Sequence, residues 1–172
     1  MLVTEPATML TDYALALMCA LFAFRLFRGL GKRSPGLWVA AFSVIAFAAL
    51  AGGTAHGFRV PLGENWRVVW RITVVSIAVG SALLIAAGIR SAMRPQAEGD
   101  GARREGILWL KRAIGVSLAA LAVLVLKLAP HPQFNHNDLY HVIQMGGLYC
   151  LYRGGLLLQG LNGSGRTRET GS

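Results

Sequence analysis

The chain has 172 residues, 54% of them apolar, and a formal net charge of +9. That length suits one domain, and the apolar residues fall into blocks too long for an ordinary soluble core. Such a charge on a soluble chain would point to nucleic acid. Here it is better read as loop topology, since Lys and Arg collect on the cytoplasmic side of membranes, so no nucleic-acid partner is expected.

A span needs about 20 predominantly apolar residues, because the hydrocarbon core is about 30 Å thick. Five blocks qualify: Met9–Phe27, Leu37–Gly57, Val68–Ile89, Ile107–Ala129 and Leu139–Leu161. The last is the weakest, since it holds Arg153 and several glycines. The fold class expected is therefore all-α, a polytopic transmembrane helix bundle of about five spans over residues 1–161. Residues 162–172, rich in Gly, Ser, Thr and Arg, read as a disordered tail.

Before the first block stand Glu5 and, inside it, Asp12, with no basic n-region, which suits an uncleaved helix rather than a secretory signal. Ser34-Pro35 reads as the opening of the second helix. Gly57 to Gly63, with Pro61, reads as a short loop. Arg94–Glu105 reads as a polar loop, and Pro130-His131-Pro132 separates the last two helices. Cys19 and Cys150 fall inside helices and read as buried free thiols. Gly-Gly and Gly-Ser pairs recur in the blocks and permit close helix approach.

Counting spans sorts the charges. Arg25, Arg28, Lys32, Arg33, Arg90, Arg94, Arg103, Arg104, Lys111, Arg112, Arg153, Arg166 and Arg168 fall on one side, and Arg59, Arg67, Arg71 and Lys127 on the other. The bias predicts an outside N-terminus and a cytoplasmic C-terminus, with the protein integral to a membrane. The same count carries Asp12, His56, Glu64, His131, His136, Asp138 and His141 to the outer face. Arg67 and Arg71 are one turn apart on that side, and pairing with Glu64, Asp12 or Asp138, or with lipid phosphates, is the plain expectation for them.

Ionisable groups within spans are costly and are usually paired or functional. In Phe134-Asn135-His136-Asn137-Asp138-Leu139-Tyr140-His141, Asn135 and Asp138 have the spacing of a capping box. Asp138, His141 and Met145 share one helix face, widened by Gln144 and Tyr152. Imidazole and carboxylate suit zinc, and a catalytic zinc keeps an open position for water. The candidate ligands are His56, His136 and His141, with His131 an alternative to His136. Asp138 and Asp12 are the candidate proton carriers.

Three short patches carry a resemblance. They are Thr11-Asp12, Gly52-Gly53-Thr54-Ala55-His56-Gly57, and Phe134 to His141. Together they resemble the alkaline ceramidase-like membrane hydrolases of the CREST superfamily and look like small bacterial relatives of them. The resemblance implies a zinc site of three histidines that hydrolyses an amide bond in a lipid. His56 matches the family's first histidine and His141 the second of its final His-x-x-x-His pair, whose first position is Asn137 here. Gly52 stands where the family has Ser, and the family has seven spans.

The function expected is thus a membrane-embedded zinc-dependent hydrolase of a lipid or amphiphile amide or ester. The alternatives are a non-catalytic accessory or scaffold subunit of a larger membrane complex, and a haem-binding subunit with His56 and His141 as axial ligands. Membrane lipids are the expected partners, with membrane-protein partners or a homo-oligomer as further options.

Overall fold

A computed structural model of the protein describes residues 3–29, 36–93, 100–131 and 133–160. Ser34-Pro35 and the tail 162–172 lie outside them. The described residues are helical, with no strand and a single isolated bridge between His131 and Phe134. The helices are α1 (Pro6–Gly29), α2 (Leu37–Gly57), the single turn α3 (Arg59–Leu62), α4 (Trp66–Met93), α5 (Asp100–Val125) and α6 (His136–Leu158), with a 3₁₀ turn at Gly63–Asn65.

The ends of these helices follow local chemistry. Pro6 occupies the first position of α1, where its missing N–H is not needed. Gly63 adopts φ +53°, a left-handed conformation that glycine takes without a Cβ clash, and it turns the chain from α3 into α4. α5 ends with Lys127 at φ +52°, with Lys127 N–H on the Leu124 carbonyl and Leu128 N–H on that of Val123. That is a Schellman closure with lysine where glycine is usual. α6 opens with the expected capping box. The Asn135 side chain accepts from the Asn137 and Asp138 N–H groups, and Asp138 Oδ2 accepts from Asn135 N–H at 2.7 Å.

Among the described residues, four segments are long and apolar enough to cross a membrane: Pro6–Gly29, Leu37–Gly57, Arg59–Met93 and Gly101–Val125. That is the signature of an integral membrane protein. The fifth expected block, within α6, falls short of that composition because His136, Asn137, Asp138, His141, Gln144 and Arg153 interrupt it. Nor is Arg94–Glu105 a loop throughout: α5 begins at Asp100, seven residues before the apolar block. Its polar first turns are helical, and Arg103 donates to the Ala92 carbonyl at the end of α4.

The helices stand in a curved row: α4 packs on α2, α2 on α1, α1 on α6, and α6 on α5. α4 meets α6 and α5 sparsely. At one end the row is held by an aromatic cluster in which Phe22 stacks on Tyr152 at 4.2 Å and meets Phe42 edge-on at 5.6 Å. Trp38 completes it, donating to Ser91 Oγ at 2.9 Å and lying against Gly155. Cys19 and Cys150 are buried free thiols, as expected. At the other end α4 and α6 leave a cleft between them.

Candidate functional site

The cleft end of the bundle gathers the start of α1, the end of α2 and the start of α6. The Thr4 N–H bonds the Gly57 carbonyl at 2.9 Å, joining α1 to α2. The Asn135 side chain reaches Thr8 Oγ1 at 3.4 Å, joining α6 to α1. These links place Asp12, His56, Asp138 and His141 at one end, the convergence expected from counting spans.

At its centre lies an Asp–His pair. His141 Nε2 stands 3.3 Å from Asp12 Oδ1, and its Nδ1 is 3.1 Å from Thr11 Oγ1. The Thr11 hydroxyl also donates to the Thr8 carbonyl at 3.0 Å. Asp12 is 5% exposed, so this carboxylate depends on its imidazole partner for compensation. The other carboxylate oxygen, Oδ2, lies 3.2 Å from where a Cβ on Gly52 would stand. Glycine at 52 therefore leaves room for the carboxylate between α1 and α2.

His56 is held differently. Its Nδ1 pairs with Glu5 Oε2 at 2.9 Å, and its ring meets Trp70 edge-on at 5.5 Å. Trp70 stacks on Trp66 at 6.0 Å, and Trp66 donates to the Ala55 carbonyl at 3.1 Å. Among the described residues no hydrogen bond occupies His56 Nε2.

Asp12, His56 and His141 line one cavity of about 140 Å³ between α1, α2, α4 and α6. Trp70, Tyr140 and Gln144 complete its polar end. From there it runs along α4 past Thr73, Ile77 and Ser81 to Leu84, with Ile45, Ala49 and Leu148 opposite. Trp70 to Leu84 is about 21 Å of helix. The walls are thus polar at one end and apolar for most of their length. A second, outer hollow lined by Glu5, Arg59, Trp66 and Asn137 shares His56 and Trp70 with it.

The chain belongs to a family of unknown function (DUF6962). The family model matches residues 7–99 and 101–159, which takes in Asp12, His56, Asp138 and His141 but not Glu5. No curated protein and no solved structure matches the chain. The family assignment therefore covers nearly the whole helical bundle without attaching an activity to it.

The other expected site residues fall elsewhere in this DUF6962 chain. Asp138 is fully buried in the capping box and lines neither hollow. Its Oδ1 is buried without a hydrogen bond. His136 is the first residue of α6 and lines neither hollow. His131 is exposed and accepts from the Gln133 N–H in its own turn. Among the described residues no three His, Cys, Asp or Glu side chains are grouped so as to hold a metal. The expected set of His56, His136 and His141 is not assembled as it stands, since His141 has both ring nitrogens engaged and His136 lies off the cavity. Nor do Arg67 and Arg71 pair with Asp12 or Asp138: the ion pairs among the described residues are His56–Glu5 and His141–Asp12. Glu5, which orients His56, carries no motif that would have singled it out, and Thr11, which orients His141, stood out only as the neighbour of Asp12.

Proposed function

We propose that this protein is a membrane-embedded hydrolase that holds an amphiphile in the α2–α4–α6 cleft and cleaves an amide or ester bond at its polar end. The observation that carries this reading is the Asp12–His141 pair at the polar end of an otherwise apolar cleft. The enclosed volume is below the range of about 300–1,000 Å³ typical of drug-sized ligand pockets. It therefore takes the linkage region and part of one acyl chain, while the rest of the molecule stays in the bilayer between α4 and α6. The resemblance to ceramidase-like hydrolases favours an amide as the bond.

Asp12 acts as general base. His141 holds its Oδ1, and Oδ2 is left toward the cleft side of Gly52. The carboxylate takes a proton from water while the water oxygen attacks the carbonyl carbon and the carbonyl π electrons move to oxygen. Collapse of that oxyanion breaks the bond to the amine or alcohol, which leaves with the proton Asp12 had taken. The products are a fatty acid and the amine or alcohol. Tyr140 and Gln144 supply donors for the oxyanion.

We also propose that α6 crosses the bilayer as a fifth span. It runs parallel to α1 and meets it at both ends, through His141–Asp12 and Tyr152–Phe22, and its 23 residues reach about 35 Å. The Lys and Arg bias then sets the cleft end outside, in an inner membrane. Gln133, exposed before α6, tests this. A Gln133→Cys variant should react with a membrane-impermeant maleimide on intact cells, and labelling that needs permeabilised cells would reverse the orientation.

The function is tested by incubating the detergent-purified protein with a panel of N-acyl and O-acyl lipids and measuring released fatty acid by mass spectrometry. Asp12→Asn should lower turnover by about 100-fold or more, the usual scale of a general-base contribution. His141→Ala should lower it comparably, and Asn137→Ala should not. Metal content is measured on the same preparations. About one zinc per chain, lost in His141→Ala, would assign the chemistry to a metal held at His56 and His141 and set aside Asp12 as base. No cleavage of any lipid, with other membrane proteins co-purifying, would favour the accessory-subunit reading.

A further inference from the structure

A second polar cluster lies outside the cleft, on the α5–α6 pair. Trp109 on α5 has two guanidinium groups over its ring: Arg112 at 4.9 Å and Arg153 at 5.5 Å from the ring centroid. Tyr149 meets the same indole edge-on at 6.0 Å, and the indole N–H reaches Glu105 Oε1 at 3.4 Å. Arg153 Nε is buried with no hydrogen-bond acceptor among the described residues. Neither arginine makes an ion pair among the described residues.

One indole thus meets two guanidinium groups, with no carboxylate paired to either among the described residues. The ring's negative face attracts each cation by about 0.5–2 kcal/mol, but it leaves the two charges without a counter-ion and the Arg153 Nε–H without an acceptor among the described residues. A buried guanidinium nitrogen without an acceptor is costly. An anion with several oxygens in forked geometry would answer both deficits, and phosphate is the group that arginine pairs recognise this way. The depth fits a lipid headgroup. Trp109 has the amphipathic ring of an interfacial belt residue, and from Trp109 to the end of α5 at Val125 is about 24 Å.

We propose that Arg112, Arg153 and Trp109 form a binding site for the phosphate of an anionic phospholipid. This site is independent of the cleft and of its chemistry. It would anchor the α5–α6 hairpin at the membrane face opposite the catalytic end. It also gives Arg153 a role, in the middle of an otherwise small and apolar helix stretch.

The test is a lipid titration of delipidated, detergent-purified full-length protein, read by native mass spectrometry and by thermal melting. The probes are phosphatidylglycerol, phosphatidylcholine and inorganic phosphate. Wild type should bind phosphatidylglycerol in preference to phosphatidylcholine and melt at a higher temperature with it. The Arg112→Gln/Arg153→Gln variant should bind phosphatidylglycerol about tenfold more weakly or worse, the scale of one lost charge-assisted hydrogen bond. Arg90→Gln, an exposed arginine at the end of α4, should bind as wild type. Should the double variant not fold, Arg112→Gln alone should still weaken binding, since Arg112 is exposed. Equal binding of the two lipids, or undiminished binding by the variants, would overturn the proposal. A full effect from inorganic phosphate would assign the site to a soluble anion instead.

Discussion

At the residue scale, the site rests on small side chains that give way to large or charged ones. Gly53 is the sharpest case. A Cβ there would meet the Tyr13 ring at 2.7 Å and Asp12 Cβ at 3.0 Å. Tyr13 is not free to swing aside, because its hydroxyl bonds Thr54 Oγ1 at 3.2 Å, and Thr54 in turn donates to the Leu50 carbonyl. Gly53→Ala should therefore cost about 1–3 kcal/mol of stability by overpacking, read as a lower melting temperature in detergent. Wild-type stability in that variant would mean that α1 and α2 are less tightly set than their contacts imply. Much of this scale was legible in the sequence. The Asn135–Asp138 cap follows from side-chain chemistry and a fixed spacing of three, and both were visible in the chain. The partners of His56 and His141 were not. Glu5 precedes the first apolar block and Thr11 was marked only as the residue before Asp12, so their pairing with the histidines depends on how α1 rotates against α2 and α6.

At the scale of the element, apolar length found each long helix but not its ends. α5 begins seven residues before its apolar block because helix continues beyond the hydrocarbon, where polar side chains are solvated and Arg103 ties the first turns back to α4. It stops at Val125, short of the block's end at Ala129, because Lys127 takes a left-handed conformation and closes the last turn. A β-carbon in that conformation costs about 1–2 kcal/mol. Lys127→Gly should thus raise stability by about 0.5–1 kcal/mol, once the greater freedom of glycine in the unfolded chain is deducted. A variant less stable than wild type would show instead that the lysine side chain makes a compensating interaction at the bundle end. α6 is the converse case, a helix long enough to span whose polar residues keep its composition outside the usual range. Three of those residues, Asp138, His141 and Arg153, are accounted for by the cap, the Asp12 pair and the indole of Trp109.

At the scale of the whole molecule, the function proposed depends on an asymmetry between the two ends of the bundle. The aromatic cluster of Phe22, Phe42, Trp38 and Tyr152 closes one end. At the other, α4 leans on α2 and leaves α6 uncovered, so polar groups from three helices face a cleft instead of a packed core. Asp12, His56, Asp138 and His141 do gather at one end of the bundle. The order of apolar blocks could not set apart Asp12 and His141, which share the cleft, from His136 and Asp138, which do not, because that depends on helix rotation and not on depth. The most direct measurement is photolabelling with an N-acyl amine carrying a diazirine at mid-chain, with the adducts mapped by tandem mass spectrometry. An amphiphile lying in the cleft should label Ile45, Ala49 and Leu84, and excess unlabelled compound should suppress that labelling. Adducts spread over the outward residues Val75, Ile85, Ile114 and Leu118, and insensitive to competitor, would mean that the chain meets the lipid as bulk solvent and that the cleft holds no substrate.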